Sequence, residues 1–354
     1  MDYSYLTRLE SFLTNRPFTQ DAPCQDASLD EWIESLRHIG GIVGGERPSQ
    51  YSQSPFLWNR LFQRLQIPGY FAPFDLPSGA NLASFMETVL QAPLCVDLTI
   101  TNPYKPAAYT ALQELRLSCI ITDRVHHLQS LNHILLQPDR ASWFADSTDG
   151  EGMVRAIKKR LSLKGAPVLL VGSGGAATSI AYELFKEGAI LRVVNIVEKD
   201  AHTLVERLAG TLANDSGERT PEDGGQLQKL PPSSGRPQPK LMAGGWDRIP
   251  QWAPESDVII SAITESTPLD RERIRKLPPS VILADTRYGE KAEFARLGRS
   301  LKHAVIDGKE MLFGQFVVPA TRVARALGIP APQAREALEE IEKEYLLSPP
   351  LSFP

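Results

Sequence analysis

Between Val168 and Phe185 the chain reads VLLVGSGGAATSIAYELF, an apolar run that passes through glycines straight into a helical pattern. No other segment constrains the fold as strongly, because this spacing is the G-x-G-x-x-G/A of a strand, a tight turn and a helix. Gly172 stands first and permits the turn, Gly174 stands second and lets backbone N–H groups approach a pyrophosphate, and Ala177 stands third and lets the helix pack closely on the strand. The helix N-terminus then faces an anion. The segment predicts a Rossmann-type βα unit in which Gly172, Ser173, Gly174, Gly175, Ala176 and Ala177 line a dinucleotide site.

At 354 residues the chain exceeds the usual size of one domain, so two domains with separate cores are expected. The formal net charge of −4 provides no global basic field, which argues against nucleic acid or an anionic membrane as the main partner. Cys24, Cys95 and Cys119 have no metal-ligand spacing, and their odd number does not suggest a disulfide framework. The start, MDYSYLTRLESFLTN, lacks a basic segment followed by an apolar core, and no window approaches 18 apolar residues. The expectation is a soluble cytoplasmic protein without a bound metal.

The periodicity predicts two N-terminal helices, Tyr5 to Leu13 and Leu29 to Ile39, the second capped by Ser28. From Gly41 onward strands alternate with helices: GIVGG, a helix from Ser54 to Leu65, YFAPFDL, a helix from Leu82 to Leu90, then LCVDLTI. This order predicts an α/β sheet. A second βα series starts at Val168, with strands over Leu191 to Ile196, Val258 to Ala262, Val281 to Ala284 and Ala304 to Ile306. Asn214 to Pro239, rich in Pro, Gly, Ser and charge, is expected to be a surface insertion. Two closing helices are expected over Glu310 to Leu327 and Ala331 to Leu346. The domain reading is an N-terminal helical extension (1–40), an α/β substrate domain (41–152) to which residues 310–354 return, and a C-terminal Rossmann domain (153–309) with an insertion at 214–239.

Polar residues recur at the ends of these elements. SQSPFLWN places Ser52 and Ser54 two apart before a helix expected to start at Pro55, so both hydroxyls can reach one carboxylate near its positive end; Ser54 acting only as the helix cap is the alternative. LTITNPYK projects Lys105 after a strand that ends at a proline, where a lysine is ordinarily a solvated charge. FADSTDGEG puts Asp149 in a turn before a helix, ordinarily an N-cap. QSLNHILL, LADTRYGEK and DGKEMLFGQF add Asn132, Tyr288 and Gln315. His126 and His127, adjacent on an expected strand, point apart and are poor joint metal ligands.

In this order around the glycine turn, these segments resemble the shikimate dehydrogenase family over residues 41 to 345, being similar to its S-x-S-P-x-x-H-N, N-V-T-x-P-x-K, G-A-V-N-T and N-T-D-G-x-G. The resemblance implies an NAD- or NADP-dependent hydride transfer on a ring hydroxyl of a cyclic hydroxy-carboxylate. It also implies that Lys105 and Asp149 form an acid–base pair facing each other across the substrate. Ser52, Ser54 and Tyr288 then bind the carboxylate, Thr101 and Asn132 bind hydroxyls, Gln315 points to the substrate, and Ala262 and Ile263 lie beside the nicotinamide. A hydride leaving an alcohol carbon needs a group to take the hydroxyl proton, which gives the pair its physical reason.

The departures are as informative. Thr99 stands where the family has Asn, Ser147 where it has Asn, and His133 where it has Thr; SAIT replaces N-A-T, and TRYGEK lacks the proline that follows the tyrosine. NADP-dependent members carry N-R-T after the second Rossmann strand, where this chain has Asn195, Ile196 and Val197, leaving Lys199 or Arg192 as partial replacements for the arginine. Two further readings stay open: a quinate, aminoshikimate or natural-product dehydrogenase on the same scaffold, and a non-catalytic ligand sensor that kept the fold. Either a monomer or a homodimer fits.

Overall fold

A computed structural model describes residues 4–18, 28–45, 47–215, 241–264 and 266–348. The chain divides into two compact units, one running to Thr148 and resuming at Gln315, the other spanning Asp149–Gly314. The first unit opens with α1 (Ser4–Glu10), α2 (Leu29–Ser35), β1 (His38–Gly44), α3 (Ser54–Arg64), β2 (Gly69–Asp75) and α4 (Leu82–Leu90). It continues with β3 (Cys95–Ile100), α5 (Lys105–Glu114), β4 (Cys119–Ile121), α6 (Asp123–Leu128), β5 (His133–Leu136) and β6 (Trp143–Asp146). Its sheet has the order β2-β1-β3-β5-β6-β4, with β5 antiparallel to both neighbours and the remaining pairs parallel. The antiparallel β5–β6 pair follows from a short turn in which Asp139 accepts from the N–H groups of Ala141 and Ser142, too short a link for a parallel crossover.

Ser28 caps α2 in a reciprocal box with Glu31, as its hydroxyl spacing predicts. The helix ends at Ser35, short of the expected Ile39, because Ile39 enters β1 and pairs with Tyr70 and Cys95. A Cβ at Gly41 would meet the Phe74 ring at 2.0 Å, so glycine there lets the ring cover β1. Trp58 on α3 stacks on Phe71 at 5.2 Å between centroids.

The second unit holds α7 (Asp149–Lys158), β7 (Pro167–Val171), α8 (Gly175–Lys186), β8 (Ile190–Asn195), α9 (Glu198–Asp215), β9 (Leu241–Gly245) and α10 (Ile249–Trp252). After these come β10 (Val258–Ser261), α11 (Arg271–Arg275), β11 (Ile282–Asp285), α12 (Glu293–Ser300) and β12 (Val305–Ile306). Its sheet is wholly parallel in the order β12-β11-β10-β7-β8-β9, the doubly wound arrangement that reverses direction at β7 and β10. Val168 to Val171 are fully enclosed, as strands covered on both faces must be. β9 is absent from the sequence reading because LMAGG shows neither alternation nor a long apolar run.

Two long helices, α13 (Gly308–Ala326) and α14 (Ala331–Leu347), end the described chain, and α13 passes from the second unit into the first at Gln315. Within the first unit Phe316 meets the edge of Trp58 at 5.2 Å, and α14 is joined to α3 by the ion pairs Arg60–Glu344 and Arg64–Glu340. The unit boundaries differ from the expected ones in that residues 149–152 and 310–314 fall with the dinucleotide-type sheet. For 149–152 the reason is close packing of α7 on α8: Gly150 N–H donates to Ser179 Oγ at 2.9 Å, and a Cβ at Gly150 would lie 2.0 Å from Ser179 O. The proposed insertion 214–239 lies outside the described residues from 216 on, as does Cys24. No helix among the described residues is long and apolar enough to cross a membrane.

Candidate active site

In the first unit, polar residues gather where β1 and β3 end. Ser52 and Ser54 are both buried, and Ser52 Oγ accepts the N–H of Ser54 at 3.3 Å. Ser54 is itself the first residue of α3, with Pro55 second and Gln53 as the cap residue. The helix starts at Ser54, where the strand–helix alternation puts it and one residue before the Pro55 start expected from the serine motif, and no side-chain cap bond forms there. Between the serines, Gln53 is 2% exposed and its Oε1 accepts from the Tyr345 hydroxyl of α14, a contact that sequence reading missed.

Thr101 follows β3, its N–H donating to Val43 O at 2.9 Å, and its methyl occupies the space a Cβ at Gly44 would need. The Asn102–Pro103 peptide is cis. Lys105 then opens α5 and does not sit at the strand end itself. A cation in a helix's first turn opposes the helix dipole, so helix stability does not explain a lysine there. Leu131 N–H donates to Lys105 O at 3.3 Å and Ile100 N–H donates to Asn132 O at 2.8 Å. These main-chain bonds bring Lys105, the end of β3 and Asn132 together. The side chain of Asn132, 3% exposed, is bonded to Thr148.

The two residues adjacent to these that depart from the family pattern, Thr99 and His133, face each other across β3 and β5 and share hydrogen bonds with Asp97. Burial pushes the Asp97 carboxyl above its usual range, opposed by the hydrogen bond and charge of His133 and by the hydrogen bond from Thr99. Asp97 was not singled out in the sequence, where an acid inside LCVDLTI breaks an apolar strand and is the signal that could have found it. His126 and His127 lie in the last turn of α6, and not on a strand as expected; Thr122 caps that helix, and His126 Nδ1 is 3.4 Å from the Tyr109 hydroxyl. Among the described residues no group of three His, Cys, Asp or Glu could hold a metal ion.

In the second unit, Asp149 is the first residue of α7 and is 7% exposed. At the glycine turn Gly172 has φ +115°, and a Cβ there would lie 2.6 Å from Ala262 O. Its N–H donates to Val194 O at 2.8 Å. Gly174 caps α8 and Gly175 begins it, and a Cβ at either would meet nothing within 4 Å. Ser173 and Ala176 are half-buried beside them, and Ala177 is fully enclosed against the sheet. Open space over the N-terminus of a helix that has no side-chain cap suits a pyrophosphate.

The neighbouring strand ends complete this edge. Ala262 N–H donates to Val171 O at 2.8 Å, followed by half-buried Ile263. Ser261 is fully buried with its Oγ unpartnered, and Asp285 is held by the N–H and Nε of Arg287. Tyr288 follows β11, and burial pushes its phenol pKa up. Gln315 lies half-buried on α13, the first residue of that helix assigned to the first unit.

At the end of β8, Ile196 and Val197 are 69% and 51% exposed. Asn195 Nδ2 reaches Val197 O at 3.3 Å and Asp200 Oδ2 at 3.4 Å. Lys199 is exposed in the first turn of α9, between Glu198 and Asp200. Arg192, a candidate replacement for the missing arginine, is instead committed to Glu255 at 2.8 Å and to Trp252 O. On the adjacent β9, Gly245 pairs with Asn195, and Asp247 Oδ1 lies 2.6 Å from where a Cβ at Gly245 would be.

No protein-family model matches the chain. It is 28% identical over 287 residues to the shikimate dehydrogenase (NADP(+)) of Hyphomonas neptunium, covering 80% of this chain and 90% of that protein. Among solved structures, the shikimate 5-dehydrogenase of Thermus thermophilus in complex with NADP(H) and shikimate has a TM-score of 0.60 at 20% identity, covering 86% of this chain and 99% of that one. The quinate dehydrogenase of Corynebacterium glutamicum in complex with NAD has a TM-score of 0.62 at 17% identity, with coverage of 86% and 99%. At these identities the structural likeness is one of fold.

Proposed function

Because the chain resembles the shikimate dehydrogenases in sequence and in fold along most of its length, we propose that it is an NAD(P)-dependent oxidoreductase acting on shikimate or a closely related cyclic hydroxy acid. The observation that supports this most is the combination, in one chain, of the open glycine turn at Gly172 to Ala177 with the buried polar ends of the first unit's strands. In this reading Gly172 to Ala177, Asn195, Ile196, Lys199, Ala262 and Ile263 hold the cofactor. The bound nicotinamide supplies the hydride.

Lys105 gives a proton to the carbonyl oxygen in the reducing direction and takes it from the hydroxyl in the other. Asp149 holds the ammonium in place and accepts a ring hydroxyl. Ser52, Ser54 and Tyr288 donate to the substrate carboxylate, and Thr101, Asn132 and Gln315 orient the ring. The protein works in the cytoplasm, on a small molecule and not on nucleic acid. The fold shared with the quinate dehydrogenase of Corynebacterium glutamicum makes quinate the second substrate to try.

The test is a spectrophotometric screen of NAD and NADP reduction against shikimate, quinate and related hydroxy acids with the purified chain. Turnover of at least one supports the reading. Ligand binding without any turnover identifies a sensor instead.

A further inference from the structure

Thr99 and His133 stand directly opposite each other in the antiparallel β3–β5 register, and both are buried. Where the family pattern has Asn on the first strand and Thr on the second, this chain has moved the large polar group to the second. Asp97, on the same face of β3 as Thr99 and fully enclosed, completes the arrangement. Thr99 Oγ1 donates to Asp97 Oδ2 at 2.8 Å, while His133 Nδ1 lies 3.1 Å from Thr99 Oγ1 and 3.3 Å from Asp97 Oδ1.

Since the threonine proton goes to Asp97, its oxygen faces the ring as an acceptor, and so does the other carboxylate oxygen. The three contacts are satisfied together when the ring proton sits on Nδ1, an assignment made from the network. In that tautomer Nε2 is a lone-pair acceptor. It has no protein partner among the contacts of His133, and it is not among the enclosed partnerless side-chain atoms of the described residues. This nitrogen is therefore not completely enclosed. The ring also follows Asn132 directly, two residues after Leu131, whose N–H is bonded to Lys105 O.

We propose that His133 is a specificity-determining residue: its Nε2, held as an acceptor by Asp97 and Thr99, accepts a hydrogen bond from a ring hydroxyl that does not react. The inference rests on the function proposed above and narrows it to hydroxy acids with a hydroxyl donor at that ring position. Asp97 acts through the ring and is a positioning residue. A substrate whose hydroxyl is missing or replaced by a ketone leaves Nε2 unpaired and is disfavoured.

The experiment compares kcat and KM of the full chain for shikimate and for deoxy analogues that each lack one non-reacting ring hydroxyl. The wild-type protein should lose about tenfold or more in kcat/KM with one analogue, the scale of an unpaired buried acceptor. His133→Thr and His133→Phe should reduce that preference to about threefold or less, mainly through KM for the parent substrate. Asp97→Asn, which presents an amide donor to Nδ1, should move the ring proton to Nε2, erase the preference and shift the ¹⁵N signature of the histidine. Should the variants fail to fold, ¹⁵N-histidine spectra of the wild-type protein titrated with shikimate serve alone: a shifted Nε2 resonance supports the inference and unmoved resonances overturn it. Variants that keep the wild-type ranking of analogues also overturn it and leave the oxidoreductase reading standing. A wild-type protein that neither binds nor turns over any of these acids overturns that reading and this inference with it.

Discussion

Asn132 grips Thr148 by both ends of its amide: Nδ2 donates to Thr148 Oγ1 at 3.2 Å, and Oδ1 accepts the Thr148 N–H at 2.9 Å. Both residues are buried, so neither group finds water if the other is removed. Asn132→Ala is expected to cost about 1–3 kcal/mol of stability, the penalty of an orphaned buried donor. Urea denaturation measures this directly, and an unchanged midpoint would show that the clamp contributes nothing. Because Thr148 precedes Asp149, the variant is also expected to lower kcat.

Lys105→Ala should lower kcat by about 10² to 10⁴-fold with the fold intact, the usual range for loss of a positioned acid or base. Combined with Asp149→Asn, the loss should be far smaller than the product of the single effects if, as proposed, the two groups serve one proton transfer. Steady-state kinetics on the three variants decide it. Near-native kcat for Lys105→Ala removes the lysine from the chemistry.

The groups at the end of β8 lead us to expect a preference for NAD over NADP. Arg192 is tied to Glu255, and Asn195 is bonded to Asp200, while Glu198 and Asp247 add carboxylates near the same strand ends. Lys199 offers a point charge where a bidentate guanidinium is absent. NAD is expected to bind more tightly than NADP, by less than about a hundredfold, or about 2.7 kcal/mol. Ile196→Arg combined with Asp200→Asn should shift the ratio toward NADP. Calorimetric titration of both cofactors reads this without any substrate, and tighter native binding of NADP than of NAD contradicts it.

His38 gives the fold an acid sensitivity. Burial, then the charge of Arg140, lowers its pKa from 6.5 to about 4, and its Nδ1 is enclosed without a partner. As pH falls through 6.5 toward about 4, the unfolded chain binds a proton that the native chain does not, so native stability is lost across that window. Below about 4 both states carry the proton and this contribution changes no further. Urea midpoints measured across the window should fall less steeply for His38→Gln than for the wild-type protein. Parallel profiles would assign the acid sensitivity to other groups.

Much of the architecture is legible in the chain because it rests on local rules. The helix Leu82–Leu90 falls where its periodicity puts it, Ser28 caps α2, and Gly172 takes the positive φ that its place in the turn requires. Short β4 to β6 and the glycine-rich β9 are not legible, since pairing with distant strands, and not their own pattern, makes them strands. The same limit applies to chemistry. The types and spacing of Lys105, Asp149 and the serines can be read in order along the sequence, but whether a side chain is already engaged depends on residues far away. Arg192 met Glu255, Gln53 met Tyr345, and Asp97 met His133 because sheet register and helix packing bring together groups separated by tens of residues. Hydrogen bonds act over about 3 Å, so only the tertiary structure decided which polar groups were satisfied and which, like Oγ of Ser261, were left without a partner.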